Sequence, residues 1–219
     1  MLGYTSLLTG TTLHKKTQEE YLPTGIKRLD RLLCGGIARG HLTEIVGPLS
    51  SGRTSLLFSI LAHATSRGEL AAYIDPQTSL DPASALKSGT DLQRLLWIRK
   101  ASLSPKKTLK AADILARAGT FGVVVLDLHP RAASKIPFHS WFRLKRALEG
   151  TSTAFLILAN QATAGSAATA VISLQPHRVL WQSNAINSPA HTCLLRGIHS
   201  KVELLRGKSP DHGPVYCCF

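Results

Sequence analysis

At 219 residues, 44% of them hydrophobic, the chain is long enough for one substantial core, too short for two comfortable ones, and too apolar for global disorder. No run approaches the roughly 18 uncharged apolar residues of a membrane-spanning helix, and the N-terminal stretch MLGYTSLLTGTTLHKKTQEE places its lysines after its mildly apolar part, the reverse of a secretory signal. A cytoplasmic location is therefore expected. Lys+Arg 26 against Asp+Glu 13 gives a formal charge of +13, which favours polyanions or an acidic partner without choosing between them. Cys34, Cys193, Cys217 and Cys218 fit no zinc spacing and are expected to be buried or idle thiols.

Residues 1–21 show weak periodicity and are read as an arm or a short helix outside a single core spanning 22–219. LTEIVG (42–47) predicts a strand that runs straight into the loop GPLSSGRTS (47–55). The spacing of Leu56, Leu57, Ile60, Leu61 and Ala64 then predicts a helix that stops at Arg67–Gly68. LAAYIDP (70–76) reads as a second strand, and LQRLLWIRK (92–100) holds a third apolar burst. A helix is expected over 108–118 with Ala111, Ile114, Leu115 and Ala118 inward and Gly119 past its end. FGVVVLDLHP (121–130) reads as a central strand covered on both faces. The next helix, 139–149, has Trp141, Leu144 and Leu148 on one side. Beyond it come a strand at 154–160, a small-residue break at 161–170, VISLQP at 171–176, and further candidate strands at 177–182 and 201–207 ahead of the terminal VYCCF (215–219). Alternation early and strands late predict an α/β fold: a mainly parallel central sheet flanked by helices, with an antiparallel C-terminal edge.

The loop fits the phosphate-cradling pattern G-x-x-x-x-G-K-[ST] except at Arg53, and it has the strand–loop–helix context the pattern needs. Gly47 and Gly52 allow a tight turn that presents N–H groups to a phosphate, and the helix start adds its own unpaired donors. Pro48, Ser50, Ser51 and Ser55 complete the candidate cradle. Thr54 stands where a hydroxyl would ligate Mg²⁺, and Asp127 ends a buried strand where a carboxylate would hold that ion's water. Arg53 keeps the positive charge but exchanges a compact ammonium for a wide planar fork, which is not conservative in a snug cradle. Hydrolysis also needs a group to position or deprotonate water. YIDPQTSLDP offers Gln77, which cannot take a proton, and Asp75, which reads equally as a base or a structural cap. ATP with Mg²⁺ is the cofactor such a loop would take; turnover is not expected.

The run LPTGIKRLDRLLCGGIARGHLTEIVGPLSSGRTSLL resembles the entry segment of the RecA/Rad51 ATPase core, with Thr24, Gly25, Leu29, Asp30, Gly35, Gly36, Gly40 and Glu44 at the family's positions besides the loop itself. The resemblance implies a RecA-like P-loop fold over roughly 22–219. It puts Gln77 in the place of the catalytic glutamate, Asp127 at the end of the Walker B strand, and Gln161 as the nucleotide-sensing glutamine. Lys208 matches a lysine that reaches a neighbouring subunit's nucleotide. LHPRAASKIPFHS and ATAGSAATA are much shorter than the two DNA-binding loops of RecA. Altered catalytic positions and trimmed loops make the chain similar to the ImuA-type RecA-like proteins. That similarity implies an accessory role in the SOS DNA-damage response and translesion synthesis, with an ImuB-like Y-family polymerase homologue as partner. An ATP-dependent enzyme that binds single-stranded DNA is the alternative.

Positive charge concentrates at Arg94, Arg99, Lys100, Lys106, Lys107 and Lys110, with Trp97 among them. This reads either as a phosphate-contacting patch or as a solvated face with Trp97 in the core. Arg143, Lys145 and Arg146 are likewise a DNA-facing or partner-facing rim or plain surface, and Trp141 is expected in the core. His129 and His139 flank the shortened first loop with no metal set around them.

Overall fold

The computed structural model describes residues 20–99, 104–182, 194–209 and 213–219. Lys100, Cys193 and nearly all of the N-terminal arm lie outside the described residues. In chain order the elements are β1 (Tyr21–Leu22), α1 (Lys27–Leu32), β2 (Ile37–Ala38), β3 (Leu42–Val46), α2 (Arg53–Ser66), β4 (Leu70–Asp75), α3 (Pro82–Lys87), β5 (Leu95–Arg99), α4 (Pro105–Ala118), β6 (Phe121–Asp127), α5 (Pro130–Ala133), α6 (Phe138–Leu148), β7 (Ala154–Ala159), β8 (Ala170–Gln182), β9 (Leu194–Arg206) and β10 (Val215–Cys218).

β1 and β2 form a small antiparallel pair. The other eight strands form one sheet in the order β10-β9-β8-β3-β7-β6-β4-β5. From β8 through β5 every pairing is parallel, whereas β8–β9 and β9–β10 are antiparallel. The expected α/β architecture, a parallel centre with an antiparallel C-terminal edge, is the one observed. Both faces of the central strands are buried, so alternate residues enter two different cores. Tyr73, Val123, Val125, Leu156 and Ile172 pack with Leu56, Leu57, Ile60 and Leu61 of α2 on one face. On the other, Ala72, Ile74, Val124, Leu126, Phe155 and Ile157 pack with the helices α4 and α6, and Trp141 is buried there as expected.

Three expectations need correction. The inward face of α4 is Thr108, Leu109, Ala112, Leu115 and Ala116. Ala111 packs only partly against the core, Ala118 is exposed, and Ile114 is 58% exposed. The small side chains of Ala112 and Ala116 let the helix approach its neighbours, so the bulkier Ile114 ends up outside. Ser104 caps this helix through the Lys107 N–H, ahead of Pro105, so it also starts earlier than 108. The strands expected at 171–176 and 177–182 are a single strand, β8. Pro176, which has no N–H to give the ladder, sits beside a register shift between Pro176 and Arg178 instead of ending the strand. β9 likewise begins well before residue 201 and pairs along β8. The third apolar burst divides into a short 3₁₀ turn at Leu92–Arg94 and the edge strand β5.

An Arg–carboxylate pair links the sheet end opposite the phosphate loop. Arg39 Nη2 donates to Glu69 Oε1 at 2.8 Å and its Nη1 to Glu69 Oε2 at 3.1 Å, while Nη1 also reaches the carbonyls of Gly122 and Ser152. The Arg39 side chain is only 9% exposed, so Arg39→Ala would strip Glu69 of its two close bonds, leaving it only Arg67 at 3.8 Å, and take a donor from two carbonyls. A loss of about 3 kcal/mol is expected in a urea unfolding curve.

Candidate functional site

The glycine-rich loop follows β3 at the carboxyl end of the parallel strands, where an α/β sheet places its ligands. Gly47 has φ +155° and its missing side chain faces the Leu174 carbonyl and Ser51 Oγ. Ser50 and Gly52 take left-handed φ of +60° and +87°. Gly52 is the N-cap of α2 and supplies no side-chain cap, so the first amides of that helix keep their donors for another acceptor. The Phe219 ring lies against Gly52: a Cβ placed there would come within 2.5 Å of Cδ2 and 3.0 Å of Ser200 Oγ. Ser51 and Ser200 are both buried, and their hydroxyls have no hydrogen-bond partner. A helix start without a side-chain cap and a backbone that passes through left-handed conformations are what suit this loop to a phosphate group.

Behind the loop, Asp127 at the end of β6 meets β4 and the turn that follows it. Asp127 Oδ2 accepts from the Tyr73 hydroxyl and from Ser79 Oγ, each at 2.9 Å. Burial pushes the Asp127 carboxyl above the ordinary range and the charge of Asp75 adds to this, while the two hydroxyls and Arg53 act against it. The same burial raises the Tyr73 phenol, further held up by Asp127. Arg53, half-buried on the first turn of α2, is lowered by desolvation, which the Asp127 charge opposes. Among the described residues Arg53 makes no hydrogen bond or ion pair. Thr54 and Ser55 are exposed on the same turn.

Asp75 is the structural alternative of the two readings open in the sequence. It is fully buried, and its Oδ1 accepts from the backbone N–H of Gln77 at 3.3 Å and of Ser79 at 3.0 Å. Its Oδ2 accepts from the N–H of Leu80 at 3.0 Å and from Trp97 Nε1 at 3.2 Å. Burial would raise this carboxyl, but the bonds from Leu80, Ser79, Trp97 and Gln77 together outweigh it and hold the group below the usual range. A carboxylate so engaged is a turn anchor and a poor proton acceptor. Gln77 itself is exposed on that turn.

Glu44, on β3, is fully buried. Its Oε1 accepts from Thr163 N at 2.7 Å, Thr163 Oγ1 at 3.0 Å and Ala164 N at 3.0 Å, fixing the segment just after Gln161 to the strand that enters the phosphate loop. Gln161 is exposed. Lys208 does not join the loop. Val171 pairs with Arg206, so Lys208 lies where the parallel strands begin, at the other end of the sheet. A cavity of about 320 Å³ opens there between Tyr21, Cys34, His41, Thr43 and Lys208, well away from the loop.

The basic residues separate into two kinds. Arg94 is tied to the Gly68 carbonyl at 2.8 Å and to Asp91, Arg99 stacks over the Trp97 ring at 4.7 Å, and Arg143 pairs with Asp113 at 3.7 Å. Lys106, Lys107 and Lys110 are exposed on the opening turns of α4, and Lys145 and Arg146 lie on α6 with Arg146 exposed. Trp97 is half-buried against the core and bonded to Asp75, which leaves its ring edge-bound in the fold. Tyr73, Ser79, Ser200 and Phe219 escaped the sequence reading. Only Tyr73 carried a signal, since it shares a strand face with Asp75 by period-two spacing.

Strand, glycine-rich loop, helix and a carboxylate at the end of β6 define an α/β protein with a P-loop-like turn. The RecA N-terminal domain family matches residues 2–137, and the chain belongs to the RecA family. It is 42% identical over 113 residues to Protein RecA of Thermus aquaticus, covering 51% of this chain and 33% of that one. It is 41% identical over 109 residues to Protein RecA of Bifidobacterium breve, covering 49% and 27%. The matched stretch thus spans about a third of these relatives' length. No helix among the described residues is long and apolar enough to cross a membrane.

Proposed function

We propose that this RecA-family chain binds a nucleotide or a similar phosphate-bearing ligand without turning it over. It acts as an accessory DNA-damage protein, binding a Y-family polymerase homologue of the ImuB type and, through non-specific phosphate contacts, DNA. The observation that carries the reading is the state of the β4 end. Asp75 is consumed by the backbone of its own turn and by Trp97, and Gln77 has no basic site for a water proton. The backbone cradle beside it keeps its donors, so binding and hydrolysis come apart in this site. The exposed lysines at the start of α4 supply charge for phosphates without groups aimed at base edges.

The similarity to Protein RecA over about half of the chain favours a second reading, an ATP-dependent single-stranded-DNA-binding ATPase or recombinase. Phosphate release measured with and without single-stranded DNA separates the two. The proposal expects a rate equal to that of Arg53→Ala under both conditions, and DNA-stimulated release above that control would establish the second reading. A sizing run with the ImuB-like protein tests the adaptor role, where absence of a complex at micromolar concentration would end it. DNA binding, measured by anisotropy, is expected to fall steeply with salt and to weaken about evenly across sequences on Lys106→Ala/Lys107→Ala/Lys110→Ala substitution.

A further inference from the structure

A loop of this kind ordinarily holds its phosphates together with a divalent cation, for which Thr54 would be the protein's oxygen donor and Asp127 the carboxylate that holds the ion's water. The residues around Asp127 do not suit that ion. Mg²⁺ demands hard, ionised or strongly polar oxygens in near-octahedral array. Asp127 Oδ2 is already occupied by the hydroxyls of Tyr73 and Ser79, each at 2.9 Å. The neighbouring carboxylate, Asp75, has both oxygens committed to its own turn and to Trp97. A fixed cation is also present: Arg53 stands on the first turn of α2, close enough to Asp127 for the two charges to influence each other.

That guanidinium is half-buried and, among the described residues, has neither hydrogen bond nor ion pair. A desolvated cation with five free donors is a site for a planar or tetrahedral anion, which it grips with two parallel bonds. The amides at the start of α2, on which Arg53 stands, have no side-chain cap and keep donors for an anion. A divalent ion placed between Asp127 and the loop would meet this guanidinium as a like charge in a partly desolvated setting, where repulsion is poorly screened.

We propose that the loop takes its phosphate ligand without a divalent cation, with Arg53 supplying the positive charge and the directional donors that the ion and a lysine would otherwise share. This rests on the reading of the loop as a phosphate site. The exchange has a sequence logic. Arginine stays charged at any working pH and brings a fork that spans two phosphate oxygens, so one side chain covers both tasks.

Calorimetric titration of the full chain with ATP and with ADP, in EDTA and again in millimolar MgCl₂, tests it. The expected result is one affinity within about twofold in the two buffers, and a loss of about tenfold or more in both for Arg53→Ala. The thermal melt of Arg53→Ala, compared with wild type, checks that the variant is folded. Arg53→Lys supplies a second readout: it removes the fork but keeps the charge, and is expected to bind better with MgCl₂ than with EDTA. Binding by the wild type only in the presence of MgCl₂ overturns the inference and leaves the phosphate site standing. Wild-type affinity retained by Arg53→Ala overturns it as well. Absence of binding in either buffer overturns the phosphate site itself.

Discussion

Asp75→Ala is expected to destabilise the fold by about 3 kcal/mol at neutral pH, because it leaves three backbone N–H groups and the Trp97 indole without their acceptor. Urea unfolding of the variant and the wild type measures the difference. Asp75→Asn separates charge from shape: a carboxamide must turn an NH₂ toward donors on one side or the other, so about 2 kcal/mol of the loss should remain. The pH dependence has a definite sign. The folded Asp75 carboxyl sits below its ordinary value, so its contribution is complete above about pH 4 and is lost as pH falls through the folded value. The wild-type and Asp75→Ala curves should therefore converge in acid. Asp127 slopes the other way. Its folded carboxyl is raised, so the folded state takes up that proton first and gains stability as pH falls from neutral toward the ordinary carboxylate range.

Gly47→Ala is expected to cost more than Gly52→Ala, although both positions belong to the same loop. A methyl at Gly47 runs into the Leu174 carbonyl of β8 and comes to 2.7 Å from Ser51 Oγ. That carbonyl belongs to an interior strand whose Leu174 pairs with Val202 of β9, so it cannot withdraw without disturbing the β8–β9 ladder. At Gly52 the main obstacle is the Phe219 ring, the far end of a side chain that can turn aside, and the remaining costs are Ser200 Oγ at 3.0 Å and the left-handed φ of +87°. We expect about 4 kcal/mol for Gly47→Ala and about 2 kcal/mol for Gly52→Ala, read from thermal melts. A smaller loss at Gly47 than at Gly52 would show that β8 can yield. On the proposed reading of the loop, loss of nucleotide affinity should accompany Gly47→Ala even at temperatures where the variant is folded, because the turn that carries the amides is displaced.

Much of this protein was legible in its residues. Long β-branched runs such as FGVVVLDL could be covered only on both faces, and the amphipathic stretch around Trp141, Leu144 and Leu148 could bury only one side, so strand, helix and parallel centre followed. The loop GPLSSGRTS stood out because its glycines occupy the positions where the backbone must turn close to other atoms. Arg53 and Gln77 were visible as departures because a phosphate loop has demanding chemistry at those places.

What sequence alone could not supply were the partners across the sheet. Asp75 read equally as a base or a cap, and the choice fell to Leu80, Ser79 and Trp97, which meet it only when β5 pairs with β4 and the turn after β4 closes. The face that α4 presents depended on how closely Ala112 and Ala116 could approach their neighbours, which a hydrophobic ranking of Ile114 above alanine does not convey. Tyr73 and Ser79 reach Asp127 from 54 and 48 residues away. Sequence determined the elements and the unusual residue at the loop, because local periodicity and turn chemistry act over a few residues. Tertiary structure decided the surroundings of that loop, because the desolvation of Arg53 and the ionisation of Asp127 depend on burial and on neighbours brought together only by the fold.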